Sequence, residues 1–487
     1  MITVQPAIIA TFCLYLLLLF GIGAYAWRQT RNLADYILGG RRLGRWTTAL
    51  SAGASDMSGW LLLGLPGFAY AAGFDAIWLA AGLLAGTWLN WILVAPRLRE
   101  QSETQGNALT LPEFFEYRFR DTTHALRLVS AFFILFFYIF YTSSGLVAGG
   151  RLFESVFGLS YTWAVIAGTL AILIYTVTGG FLAVSWTDLF QGLLMAFALV
   201  FAALAALAYA GGWSVVIESM RTVDPALADL FHTTGGEPLT AIMLISLLGW
   251  GLGYFGQPHI LVRFMAIRAR GGTASAMRIA VTWTAVCLAA ALITGFSGVE
   301  LIADPLKGGD TEKVFIELVT LLFHPVPAGI CLAAILAAIM STADSQLLVA
   351  SSALTEDVYQ ALFRRKANQR ELVLVGRITV TVLALIAALL ALRHEQKVLD
   401  LVAYAWAGFG AAFGPALVLA LYWKGMTRLG AAAGMIAGSL TVIFWHRFEG
   451  GVSTLYELVP GFLIALMATL VFSRIEKMHR NFAPQSD

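Results

Sequence analysis

Three aspartates, Asp56, Asp188 and Asp344, stand inside stretches that are otherwise almost wholly apolar. Charge within hydrocarbon is costly, so carboxylates placed there serve ion or proton chemistry or are paired. Asp56 falls in Ala49-Leu50-Ser51-Ala52-Gly53-Ala54-Ser55-Asp56-Met57-Ser58-Gly59-Trp60, a run of small and polar residues followed by Gly64, Pro66 and Gly67. Asp344 falls in Ala338-Ile339-Met340-Ser341-Thr342-Ala343-Asp344-Ser345. On a helix, Ala338 lies three or four residues before Ser341 and Thr342, and Ser341 stands in the same relation to Asp344 and Ser345, so these oxygens share a face. A hard cation wants several oxygen ligands, and carbonyls with hydroxyls supply them without trapping it. The segment could therefore serve two adjacent oxygen-rich points. Competing assignments stay open here: Asp56 as a cap for freed amides, Asp188 as an interfacial residue near the cytoplasmic end of its span, and Ser341 and Thr342 back-bonded to the preceding turn.

A second run, Gly249-Trp250-Gly251-Leu252-Gly253-Tyr254-Phe255-Gly256-Gln257-Pro258, has the same loosened character. Aromatic residues gather near the two runs: Trp60, Tyr141, Trp250 and Tyr254. They are candidates to touch a solute, with an interfacial belt as the alternative. Gly251-x-Gly253-x-x-Gly256 matches a dinucleotide fingerprint in letters only, because no strand precedes it and no soluble helix follows. The sequence contains no H-E-x-x-H, no G-x-S-x-G and no histidine pair at ligand spacing, and no enzymatic activity is expected. His259, beside Pro258, reads as a helix-end residue. Cys13, Cys287 and Cys331 all fall in apolar spans without metal-site spacing, and structural packing is expected of them.

The elements that carry these residues must be membrane helices. The chain has 487 residues, 59% hydrophobic and 12% charged, about half the charge of a soluble domain. Apolar runs long enough to cross ~30 Å of hydrocarbon recur along nearly its whole length. The pattern predicts an all-α polytopic protein of about thirteen transmembrane helices, at 5–26, 47–71, 74–95, 124–150, 160–178, 184–210, 238–260, 274–297, 318–350, 371–392, 398–422, 428–446 and 455–474. The first run ends in Ala24-Tyr25-Ala26, like a cleavage site, but no Lys or Arg precedes it and several arginines follow. That is the reverse of a signal peptide, so a retained first helix with its N-terminus outside is expected. With that orientation, 24 of the 31 Lys and Arg fall on the cytoplasmic side, as the positive-inside rule asks. The connections 96–123 and 211–237 read as solvated loops.

Irregular backbone at membrane depth occurs only around a cavity or inside protein. Breaks near residues 53 and 251 each fall in the first helix of a block of five, which predicts two halves, 47–210 and 238–422, the second inverted relative to the first. Paired broken spans at matching positions point to a transporter site near the membrane midplane; close packing of glycines is the plainer alternative. On this reading 5–26 and 428–474 are peripheral helices of one transmembrane domain.

The chain resembles the sodium/solute symporter family over about residues 11 to 475. The likeness is carried by Asp35 to Arg41, Ala49 to Leu63, Gly179 to Asp188, Gly249 to His259, Ala337 to Gln346 and Tyr404 to Pro415. It implies a five-plus-five inverted-repeat transporter core with discontinuous helices, working as a sodium-driven importer of L-proline in a bacterial cytoplasmic membrane. By the family's pattern, sodium is held by the backbone carbonyls of Ala54, Met57 and Ala338 and the hydroxyls of Ser341 and Thr342, with Asp56 beside it. Proline lies near Ser58, Trp60, Tyr141, Trp250, Tyr254 and Pro258. Some relatives are similar to a second pattern, which maps a further cation site onto Asp188, Ser341 and Ser345, with Asp344 where a hydroxyl can stand. A carboxylate there either strengthens such a site or pairs with a basic residue and abolishes it. The partners implied are proline, sodium and the bilayer, with no nucleic acid. Other readings are a symporter of another amino acid, a betaine, pantothenate or a sugar; proton coupling through Asp56, Asp188 or Asp344; and a transporter-like sensor.

Overall fold

A computed structural model describes residues 6–27, 38–176, 181–268, 270–393, 397–445, 447–448 and 450–482. Arg28 and Arg31 of the cytoplasmic charge count, Asp35 to Ile37 and Gly179-Gly180 of the family likeness lie outside the described residues. Among those described, nine helices are long and apolar enough to cross a membrane. Four shorter apolar helices, Pro6–Ile22, Trp60–Ala72, Tyr161–Leu173 and Ala241–Gly256, occupy the other expected positions. Apolar helices thus stand at all thirteen expected positions, and the protein is a multi-pass membrane protein.

The first helix, α1 (Pro6–Trp27), precedes a broken span made of α2 (Arg45–Asp56), a wide π turn at Trp60–Gly64 and α3 (Leu65–Ala72). Gly73, with φ of +65°, turns the chain into α4 (Asp75–Leu93). A Cβ at Gly73 would lie 2.2 Å from the Leu227 carbonyl oxygen, so the turn admits only glycine. The connection expected as a solvated loop at 96–123 is instead largely helical, with α5 (Ala95–Thr104) and α6 (Leu111–Phe119). Phe114 and Phe115 are fully buried there, and Arg99 Nε donates to the Ile267 carbonyl at 2.7 Å. Its apolar residues sit at helical rather than loop spacing.

The chain continues through α7 (Ala125–Phe157), α8 (Tyr161–Thr176), α9 (Phe181–Tyr209) and α10 (Trp213–Val223), the last lying inside the connection expected as loop at 211–237. α7 extends beyond the expected end at 150, so Arg151, which falls between two expected spans, is a buried helical residue. The second broken span is α11 (Ala241–Gly249), a 3-10 turn at Trp250–Gly256 and α12 (Pro258–Ala266). Then come α13 (Thr273–Leu301), α14 (Val314–Leu322), α15 (Pro325–Ser352) with a π extension to Phe363, α16 (Gln369–Ala391), α17 (Val398–Tyr422), α18 (Arg428–Trp445) and α19 (Leu458–Phe482). The expected span 318–350 is therefore two helices. Pro325 lacks an N–H and holds His324 extended, at ψ of 157°, which separates α14 from α15.

The breaks do what their composition asks. At the first, Met57 leaves the helix with φ −83° and ψ 79°. Ser58 N–H, which an intact helix would give to Ala54, bonds Asp56 O at 3.0 Å. Gln257, at φ −78° and ψ 107°, separates the 3-10 turn from α12. The glycines of this second break also pack tightly: a Cβ on Gly251 would lie 2.2 Å from Gly82 O, and one on Gly256 2.2 Å from Phe409 O. Close packing and a break, weighed as alternatives from the sequence, occur together.

Candidate functional site

The carbonyl of Ala54, released by the end of α2, faces α15. Ser341 Oγ donates to it at 2.8 Å and Thr342 Oγ1 at 3.3 Å, and Ser341 Oγ lies 3.1 Å from Ala338 O. Four of the expected sodium ligands thus meet between two helices. Met57, the fifth, is fully buried at the turn, its N–H given to Gly53 O at 2.8 Å. Hydroxyl protons can rotate away, so this oxygen set can exchange its internal hydrogen bonds for a cation.

Asp56 is the hub beside this set. Its backbone oxygen accepts from Ser58 N–H at 3.0 Å, Trp60 Nε1 at 3.1 Å and Tyr141 OH at 3.1 Å. Its Oδ2 accepts from Tyr254 OH at 2.7 Å, which joins the first break to the second. Asp56 Oδ1 is buried without a hydrogen-bond partner among the described residues. Ser58 Oγ accepts weakly from Trp60 N–H at 3.4 Å.

Trp60, Tyr141 and Tyr254 therefore converge, all of them buried. Trp250 does not join them through its ring, which stacks on Tyr456 at 5.1 Å. Its carbonyl accepts from Trp406 Nε1 at 2.8 Å, and Trp406 in turn stands edge-on to Tyr254 at 4.9 Å. Pro258 opens α12 at the far end of the break. It lines a small cavity with Thr110, Ile134, Val262, Leu348 and Asp357.

Asp188 and Ser345 meet a different partner from the one expected. Arg263 Nη2 lies 3.1 Å from Asp188 Oδ2 and donates to Ser345 Oγ. Arg263, which follows the expected end of the span 238–260, lies on α12 and is fully buried. Asp344 is fully buried one residue before Ser345. Tyr138, His259, Gln257 and Trp406 were also not singled out for the site. His259, read as a helix-end residue, is fully buried with Nδ1 3.3 Å from Tyr138 OH. Gln257 Nε2 donates to Gly253 O at 3.0 Å and Trp406 O at 3.2 Å. A polar residue directly before Pro258, in an apolar span, was the available signal for Gln257.

A model of the sodium:solute symporter family matches residues 36–438. The chain is similar to the sodium/proline symporter of Escherichia coli (strain K12), 50% identical over 490 aligned positions that cover 99% of this chain and 96% of that one. It is also similar to the high-affinity proline transporter PutP of Bacillus subtilis (strain 168), 48% identical over 455 positions, covering 93% and 94%. In fold it is similar to the substrate-bound outward-open state of a sodium-coupled sialic acid symporter, at 19% identity, with a TM-score of 0.79 over 97% of this chain and 98% of that one. That likeness shows a five-plus-five inverted-repeat transporter core with discontinuous helices. On the extent of the family match and of the two sequence relatives, the chain belongs to the sodium:solute symporter family.

Proposed function

We propose that the protein imports L-proline together with sodium across a bacterial cytoplasmic membrane by alternating access. The observation that carries the coupling is the convergence of Ser341 and Thr342 on the freed carbonyl of Ala54. Proline as the solute rests on the names of relatives that are about half identical along nearly the whole chain.

Sodium binds the carbonyls of Ala54, Met57 and Ala338 and the hydroxyls of Ser341 and Thr342, and so ties the first break to α15. The buried Asp56 carboxylate favours the cation from beside the cage, its Oδ1 being without an internal partner among the described residues. Proline lies among Ser58, Trp60, Tyr141, Tyr254 and Pro258, with Trp250 closing the second break against Tyr456. Exposed helix ends take the carboxylate and aromatic faces pack the pyrrolidine ring. The two halves, 47–210 and 238–422, rock about this site, flanked by 5–26 and 428–474. The N-terminus is outside and the C-terminus cytoplasmic, the order in which the Lys and Arg count favours the inside.

A tenfold sodium gradient supplies about 1.4 kcal/mol and ~100 mV adds about 2.3 kcal/mol per charge. One sodium can then sustain a proline gradient of several hundredfold. Radiolabelled proline uptake into proteoliposomes, under imposed gradients of sodium, potassium or protons, tests the reading. Uptake driven by sodium alone and competed by unlabelled proline is expected. Uptake driven by protons, or competed only by a betaine, a sugar or pantothenate, would replace it.

A further inference from the structure

Directly beside the proposed sodium cage lies a second cluster of oxygens, and a cation of the chain already fills it. Ser51 precedes Ala54 by three residues on α2, and Ser345 follows Ser341 by four on α15, so the cluster is one helical turn from the cage on both helices. Its oxygens are Asp188 Oδ2 from α9, Ser51 Oγ, Ser345 Oγ and the carbonyl of His259. Arg263 reaches all of them: Nη2 to Asp188 at 3.1 Å and to Ser345, Nε to Ser51 Oγ at 3.1 Å, and Nη1 to His259 O at 2.7 Å. Ser51 Oγ itself donates to Asp188 Oδ2 at 2.6 Å. The guanidinium carbon also stands 5.2 Å from the centre of the Phe181 ring. A carboxylate with two hydroxyls and a carbonyl is a donor set for a hard cation. Asp188 Oδ1 is buried without a hydrogen-bond partner among the described residues, so the carboxylate has coordinating capacity left.

We propose that Arg263 is the tethered cation of this second oxygen cluster, so that the protein moves one sodium per proline, and that removing its guanidinium turns the cluster into a second sodium site. The inference rests on the proposed sodium-coupled proline transport. A buried carboxylate must be compensated. Arginine does so with a charge it cannot lose, and with a planar fork that here spans three helices. A sodium in the same oxygens would face that fixed charge at contact distance, so ion and guanidinium exclude one another. With the guanidinium gone, Asp188 and the two hydroxyls remain, and sodium is the abundant cation that replaces it.

The test measures, in proteoliposomes, the voltage that nulls net proline flux at fixed gradients, which gives charges moved per proline. Wild-type protein is expected to move one. Arg263→Gln is expected to move two, with the Hill coefficient for sodium rising from about 1 to about 2, and Asp188→Asn/Arg263→Gln to return to one. Two charges per proline in the wild type would overturn the proposal. So would an Arg263→Gln protein that elutes as a folded species yet still moves one charge with a Hill coefficient of about 1. Recovery of Arg263→Gln only from sodium-containing buffer supports the idea; recovery of the double variant but never of the single one, even at high sodium, overturns it. If the wild type showed no sodium-driven proline uptake, the transport reading would fail instead. The sodium dependence of the melting temperature would still separate one site in the wild type from two in Arg263→Gln.

Discussion

Asp56 joins the two breaks through its side chain and ties the first break to α7 through its carbonyl. Among the described residues, Tyr254 OH donates to Asp56 Oδ2 at 2.7 Å and so joins the two breaks side chain to side chain. Tyr254→Phe leaves the ring against Trp406 but strands a buried carboxylate oxygen. A hydrogen bond to a charged group contributes about 1.5–3 kcal/mol, so the apparent affinity for proline should fall about ten- to hundredfold while the protein stays folded; unchanged half-saturation in uptake assays would refute this. Ser341→Ala removes the shortest contact to Ala54 O and should raise half-saturating sodium about tenfold, equivalent to ~1.4 kcal/mol, with a smaller change for Thr342→Ala, whose contact is longer. At this scale the sequence was informative where chemistry follows helical spacing. Ala338, Ser341 and Thr342 share a face by arithmetic, and Asp56 was visible as a charge in an apolar run. Arg263 was not, because a count of loop charges treats every cation between spans as solvated. Only the fold shows that α12 keeps Arg263 buried against Asp188 on another helix.

Helices in this protein are positioned by what their surfaces lack as much as by what they carry. Gly251 meets α4 so closely that a methyl group would run into the backbone oxygen of Gly82. Gly251→Ala should therefore lower thermal stability by about 1–3 kcal/mol or abolish expression, whereas Gly44→Ala, where nothing lies within 4 Å, should be benign; equal stability of the two variants would show that the break is not set by this contact. On the side that the charge count places inside, Asp121 caps the start of α7. Its Oδ2 accepts from Leu126 N–H at 2.9 Å, and its Oδ1 lies 3.2 Å from Arg428. Burial pushes the Asp121 carboxyl up, but the hydrogen bonds from Thr123, Leu126 and Arg428 together outweigh it and hold the group below the usual carboxylate range. The stabilisation is present above the unfolded value near 3.9 and is lost as pH falls through the lower folded value. Asp121→Asn keeps the capping oxygen but removes the charge facing Arg428, and should cost up to about 1 kcal/mol at neutral pH, with the two melting temperatures converging below about pH 4. Most elements were legible as apolar runs, and the break before α15 needed only the weight of Pro325. The helices α5 and α6 were missed because their polar faces hid apolar residues that pack inward.

At the scale of the whole molecule, two ion-paired clusters tie separate sets of helices together. On the side that the charge count places inside, Arg127 lies 3.0 Å from Glu113, 3.1 Å from Glu116 and 3.3 Å from Asp357, tying α6 and α7 to the extension of α15. Asp357 and Thr110 also line the small cavity that reaches Pro258, so this cluster adjoins the far end of the second break. On the side placed outside, Glu312 accepts from the first amides of α17, Val398 and Leu399, each at 3.0 Å, and lies 3.3 Å from Arg151 of α7. The same turn packs on α3, where a Cβ at Gly67 would lie 2.8 Å from Glu312 Cα. On the proposed orientation, opening the outer side would part α17 from α3, which Glu312 holds together. A carboxylate at a helix N-terminus is favoured by the dipole and the free amides. Glu312→Gln keeps the shape, removes the charge and weakens the closed outer side relative to the open one. If that difference is about 1.4 kcal/mol, the population of outward-open protein rises about tenfold. Cysteine placed at Leu399 should then react faster with a membrane-impermeant maleimide in Glu312→Gln than with Glu312 intact, and proline should slow it in both backgrounds. Equal labelling rates in the two backgrounds would mean that the carboxylate caps α17 without governing the outer path, and the closure would have to be sought in the apolar packing of α3 alone.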